Sequence, residues 1–157
     1  MLSGMRICFQ WFFGLLLASG LGGTNSGAVQ IKPVASDAGY VMASFRGNGE
    51  DGLYLAWSTN AYQWQPLNQD RPVLKSTVGE SMLMRDPCLQ QGPDGTFHLV
   101  WTTSWTGKTI GYASSKDLIH WSEPVALAVM AHEPRTKLCW APEIRYDAPR
   151  QEWLIYW

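Results

Sequence analysis

Three residues recur at one fixed spacing: Ala56, Ser58 and Trp64 reappear as Ala113, Ser115 and Trp121, each pair 57 residues apart (56 to 113, 58 to 115, 64 to 121). The surrounding types agree as well, because Leu53 to Ser58 and Ile110 to Ser115 are both short, mostly apolar runs that lead into a polar turn. The strand before the second copy is echoed further on. Phe97-His98-Leu99-Val100-Trp101 matches Trp153-Leu154-Ile155-Tyr156-Trp157 in type, with Phe97 over Trp153 at a spacing of 56. A period in this range, built from short strands and Gly-rich turns, marks a β-propeller, whose four-stranded blades pack against one another around an axis. The expected class is therefore all-β, with two to three blades of a propeller present. From Ile31 onward no helical apolar period runs beyond two turns, which agrees with that reading.

The partners are narrowed by charge and rings. A net charge of -1 across 157 residues lacks the basic surplus that nucleic acid or an anionic membrane demands. Nine tryptophans and an aromatic share of 13% exceed what a small core needs, and flat rings are a common means of holding sugars.

The first 28 residues read as a secretory signal peptide: Arg6 provides a positive start, Ile7 to Leu17 is apolar, and small residues follow to Ala28. The apolar run is short for a span of about 20 residues, although an uncleaved anchor is the alternative. The expected location is secreted or periplasmic, with no membrane attachment after cleavage. Two cysteines then remain, Cys88 and Cys139, with no metal-ligand spacing, and free buried thiols are expected in preference to a bridge. Residues 31–157 are expected to form the N-terminal part of the propeller. Trp157 falls inside an apolar strand, so a truncated and poorly soluble chain is the expectation.

Chemistry is carried by three motifs. In Arg85-Asp86-Pro87 the proline biases Asp86 to extended backbone, so that its carboxylate projects from the opening of a strand near the axis. The same residues also suit a turn-forming Asp-Pro or a local Arg85–Asp86 ion pair. In Ser115-Lys116-Asp117-Leu118-Ile119-His120-Trp121, Ser115 and Asp117 bond to backbone groups and close a tight turn while Trp121 folds back over it. The earlier copy keeps the serine and tryptophan and replaces Asp117 by Asn60, which still accepts a hydrogen bond. Finally, Trp140-Ala141-Pro142-Glu143 opens the next copy and is expected to bring Trp140 and Glu143 to the rim of the pocket that Asp86 enters. Glu143 suits a sugar-hydroxyl acceptor better than a second catalytic carboxylate. Trp105 and Trp140 suit sugar stacking or plain sheet packing.

Together, the Asp-Pro, the Gly-Pro-Asp-Gly turn at 92 to 95, Ser-x-Asp-Leu-x-x-Trp and Trp-Ala-Pro-Glu resemble glycoside hydrolase family 43, from about Arg85 to Trp157. The resemblance implies a five-bladed β-propeller that inverts configuration on arabinose- or xylose-containing glycans. It also implies Asp86 as general base, with an acid-tuning Asp and an acidic Glu lying beyond Trp157. Arg85, Trp105, Trp140 and Glu143 are the candidate substrate contacts, and the 157-residue chain is expected to be inactive for want of an acid. No cofactor is implied, and an axial calcium is left open. The alternative is a secreted, non-catalytic carbohydrate-binding propeller. Residues 31 to 84 precede the usual first blade, and Glu143 stands where Asp is commoner, which points to a divergent branch. Arg-Asp-Pro also occurs in family 32 fructan hydrolases, but no Asn-Asp-Pro lies upstream here.

Overall fold

The computed structural model describes residues 39–157, together with a two-residue strand, β1 (Arg6–Ile7). Apart from β1, the expected signal peptide at 1–28 and the start of the expected propeller segment lie outside the described residues. Three sheets follow one another along the chain. The first contains β2 (Tyr40–Ser44), β3 (Tyr54–Ser58) and β4 (Gln65–Pro66) as an antiparallel meander, with β1 parallel to β2 on its edge. In the second, β5 (Arg85–Gln91), β6 (Phe97–Thr102), β7 (Ile110–Ser115) and β8 (Val125–Leu127) run antiparallel in chain order. The third is the hairpin of β9 (Glu143–Asp147) and β10 (Glu152–Tyr156). Its helical content among the described residues is one turn at Asn68–Asp70.

Successive side chains on a strand point to opposite faces, and the second sheet uses both faces for core. Leu89, Leu99, Trp101 and Ala113 join Val41, Leu53 and Leu55 of the first sheet in one apolar cluster. Their neighbours Cys88, Val100 and Tyr112 join Ile144, Trp153 and Ile155 of the third sheet in another. This alternation shows three sheets stacked face to face, with the middle one buried on both sides. β5 packs against β2 on one side and β9 on the other, so the opening strands of the three sheets are neighbours. That is the arrangement of consecutive propeller blades, and the all-β partial propeller is the observed fold.

The widest side chain in the first cluster sets a local demand. Trp101 is fully buried and lies opposite Gly111 on β7, where an added Cβ would fall 2.0 Å from the indole. Only glycine leaves that space. The indole N–H is satisfied by the buried Ser76 hydroxyl at 3.1 Å, so the ring carries no unpaired donor into the core.

The repeat expected from sequence holds atom by atom. Ser58 Oγ accepts the N–H groups of Asn60 and Ala61, Asn60 Oδ1 accepts those of Tyr62 and Gln63, and Trp64 Nε1 donates to Ala61 O. Ser115, Asp117, Leu118, Ile119, His120 and Trp121 repeat every one of these bonds 57 positions later. Ala61 and Leu118 both take left-handed backbone, at φ 62° and 66°.

The two copies differ in charge. The side-chain bond from His120, followed by the backbone N–H groups of His120 and Ile119, holds the Asp117 carboxyl well below the usual carboxylate range. A depressed folded-state pKa stabilises above the unfolded value of about 3.9 and is lost as pH falls. Asn60 has no such dependence. We expect Asp117→Asn to keep the turn, and its urea midpoint to fall less than that of the parent chain between about pH 4 and pH 2. Gly111→Ala is expected to destabilise by about 1–3 kcal/mol through overpacking against Trp101, read from the same urea titrations.

Candidate functional site

Asp86 precedes Pro87 at the opening of β5, and Ala141 precedes Pro142 at the opening of β9. Both take left-handed backbone with φ 47°, which corrects the expectation that proline would hold Asp86 extended. The reason is a bulge. Arg85 lies opposite Thr102 and Cys88 opposite Val100, so β5 spends three steps where β6 spends two. The extra residue bends the strand and re-aims Asp86, at a backbone cost of about 1–3 kcal/mol that its surroundings must offset.

Thr102 is part of what holds it there. Its buried hydroxyl accepts the Ala141 N–H at 2.8 Å and donates to Asp86 Oδ2 at 3.1 Å. A hydroxyl has one proton, and with Ala141 as donor that proton goes to the carboxylate. The equivalent openings of two blades are thereby joined through one oxygen.

Beside this link stands a corner of aromatic rings. Trp105, on the loop after β6, and Trp140, just before β9, have centroids 5.6 Å apart and meet at 84°, with Trp140 Nε1 donating to Trp105 O at 3.1 Å. They are 51% and 41% exposed, far above the buried tryptophan of the core, and so leave ring surface open to solvent. The Arg85 guanidinium lies 4.2 Å from the Trp105 centroid and 5.0 Å from that of Phe45. Asn48, in the first sheet's turn, ties the group together: its Oδ1 accepts Arg85 Nη1 at 2.9 Å and Trp105 Nε1 at 2.8 Å. Arg85 forms no ion pair with Asp86.

Glu143 opens β9 two residues after Ala141. Its carboxylate accepts the Tyr156 hydroxyl, and it lines a hollow of about 460 Å³ with Gln90, Arg145, Tyr146 and Tyr156. That hydrogen bond, with some burial and the Glu143 charge, pushes the Tyr156 phenol up. Contacts and hydrogen bonds link Arg85, Trp105 and Trp140 through Asn48, and Asp86 to Ala141 through Thr102, while the hydrogen bond of Glu143 goes to Tyr156. Cys88 and Cys139 are both free and buried, as expected.

Residues 36–157 match the family model described as a probable glycosyl hydrolase domain, one related to glycoside hydrolase family 43. The chain belongs to this glycosyl hydrolase family. No curated protein matches it. As a glycosyl hydrolase domain, it is a protein whose relatives act on carbohydrate, and an acidic side chain beside exposed tryptophans is the chemistry such a substrate requires.

Sequence reading missed Asn48, Thr102 and Glu80 in this candidate site. Glu80 accepts the Lys108 N–H at 2.8 Å and the Thr103 hydroxyl at 3.3 Å, and so braces the loop carrying Trp105. Burial alone would push the Glu80 carboxyl up, but these bonds outweigh it and hold it low. At Gly107, with φ 138°, an added Cβ would strike the Glu80 carboxyl at 2.3 Å. Among the described residues no group of three or more His, Cys, Asp or Glu side chains could hold a metal ion. Thr102→Val leaves the Ala141 N–H and the Asp86 carboxylate each one partner short, and should lower stability by about 1–3 kcal/mol in urea unfolding.

Proposed function

We propose that this is a secreted or periplasmic inverting glycoside hydrolase acting on arabinose- or xylose-containing glycans, with Asp86 as the general base. The observation that carries the reading is the Asp86 carboxylate, lifted from its strand by a bulge and anchored through one oxygen by Thr102. The other oxygen has no hydrogen bond from the described residues and is available to a water. In a single displacement Asp86 takes a proton from the water attacking the anomeric carbon, while an acid protonates the leaving oxygen. The two carboxyl groups stand about 6.5–9.5 Å apart in such enzymes, which admits the water between them. Trp105 and Trp140 hold the sugar ring, one by its face and one by its edge. The proposal assigns the base to this chain and no general acid among its described residues.

A second reading, a non-catalytic carbohydrate-binding propeller, is supported by two observations. The nearest structural analogue of Asp86 at the next blade opening is Ala141, and Glu143 is committed to Tyr156. The two readings separate by experiment. Arabino- and xylo-oligosaccharides are added to a form of the protein that carries a general acid as well as Asp86, and anomeric proton signals are followed by NMR. The enzyme reading expects first-formed product of inverted configuration and a loss of at least about a thousandfold in turnover for Asp86→Asn, with sugar binding kept. Retained configuration, or unchanged turnover in that variant, removes Asp86 as base. Binding without turnover in a form that carries such an acid selects the second reading.

A further inference from the structure

The Arg85 guanidinium is half-buried, yet forms no salt bridge with any carboxylate among the described residues. Its Nη1 donates to the Asn48 carbonyl at 3.3 Å and to Asn48 Oδ1 at 2.9 Å, while Nε and Nη2 have no partner among those residues. The rings of Phe45 and Trp105 lie close to it and restrict the plane in which it can turn. Glu50 feels the Arg85 charge, but its carboxylate is taken up first by the Asn48 side chain and also by the Asn48 N–H. A partly desolvated cation with two free donor nitrogens, Nε and Nη2, set close to two rings, is a receptor awaiting an anion. A guanidinium fork matches a planar carboxylate in two parallel hydrogen bonds, and the preset plane reduces the entropy lost on binding. Sugar hydroxyls would satisfy the donors without using the charge.

We propose that the glycan bound here is acidic, with Arg85 receiving the carboxylate of a uronic acid residue that neighbours the sugar held by Trp105 and Trp140. The inference rests on the carbohydrate reading of this site and adds the charge of the substrate to it. Asn48 is a positioning residue, since it fixes both the guanidinium and the Trp105 indole.

The test is calorimetric titration of the 157-residue chain with a uronate-bearing xylo-oligosaccharide and with the same oligosaccharide after its carboxyl is reduced to the alcohol. A sulfated oligosaccharide of equal length provides a third arm. The acidic sugar is expected to bind at least about tenfold more tightly than its reduced form, with the ratio shrinking as salt rises from about 20 to 300 mM. Arg85→Gln should bring the ratio to about one, and Arg85→Lys, which keeps charge but loses the fork, should leave an intermediate ratio. Equal affinities for acidic and reduced sugars overturn the proposal while leaving the carbohydrate site in place. Binding of neither overturns both. A ratio that survives in Arg85→Gln moves the carboxylate to another residue and also overturns it, and preferential binding of the sulfated sugar replaces carboxylate by sulfate.

Discussion

The middle sheet must bury two faces at once, and most of the structure depends on that demand. Strands β5, β6 and β7 send alternate side chains into two apolar clusters, so the sheet acts as a shared wall between its neighbours. With no face left for solvent, its strands cannot slip by one residue without exchanging the two clusters. The register is pinned further by Trp101 over Gly111, a contact only one pairing allows. Stacking of this kind also explains why the openings of successive sheets come together at one end, where side chains from all three converge.

The site is what such convergence produces. Asn48 comes from the first sheet's turn, Arg85, Asp86, Thr102 and Trp105 from the second sheet and its loop, and Trp140 and Ala141 from the approach to the third. No sheet owns it. The bulge at Asp86 shows how the demands of structure and chemistry are reconciled: the strand gives up one ladder position, and Thr102 replaces the lost backbone order with a hydroxyl shared between two sheets. On the far side of the blade interface His98 plays a purely structural part, bonded to the Tyr112 hydroxyl and stacked 4.2 Å from Trp153, with burial lowering its pKa so that the neutral ring is favoured.

Much of the fold was legible in the sequence because it rests on short-range rules. The serine, Asx and tryptophan of the turn at 58–64 and 115–121 bond to backbone groups two to five residues away, so spacing alone reveals them. The match of Phe97 to Trp101 with Trp153 to Trp157 likewise marked two strands, which are β6 and β10. The catalytic candidate Asp86 was visible as Asp-Pro, but its left-handed backbone was not, since the bulge arises from pairing with β6 rather than from the proline. Asn48 looked like an ordinary Gly-Asn-Gly turn residue, and Thr102 like the end of an apolar strand. Their roles depend on groups 16 to 57 residues away in the chain. The bond between Glu143 and Tyr156 was hidden for a similar reason, since it forms only when β9 and β10 pair across the hairpin.

Asn48 sits outside the strand that carries the carboxylate, in a turn closed locally by the Gly49 N–H on Arg46 O and tied to the approach of β5 by the Met84 N–H on Gly49 O. Its exposed side chains still tolerate exchange better than those of the stacked sheets do. Because that one amide sets the pose of both the cation and an indole, a change in the 46–51 segment moves both without altering any residue of β5. Arg85 and Asp86 are neighbours on one strand, yet the group that poses Arg85 belongs to another sheet, so evolution or a protein engineer could re-aim the cation while the carboxylate beside it keeps its bulge and its threonine.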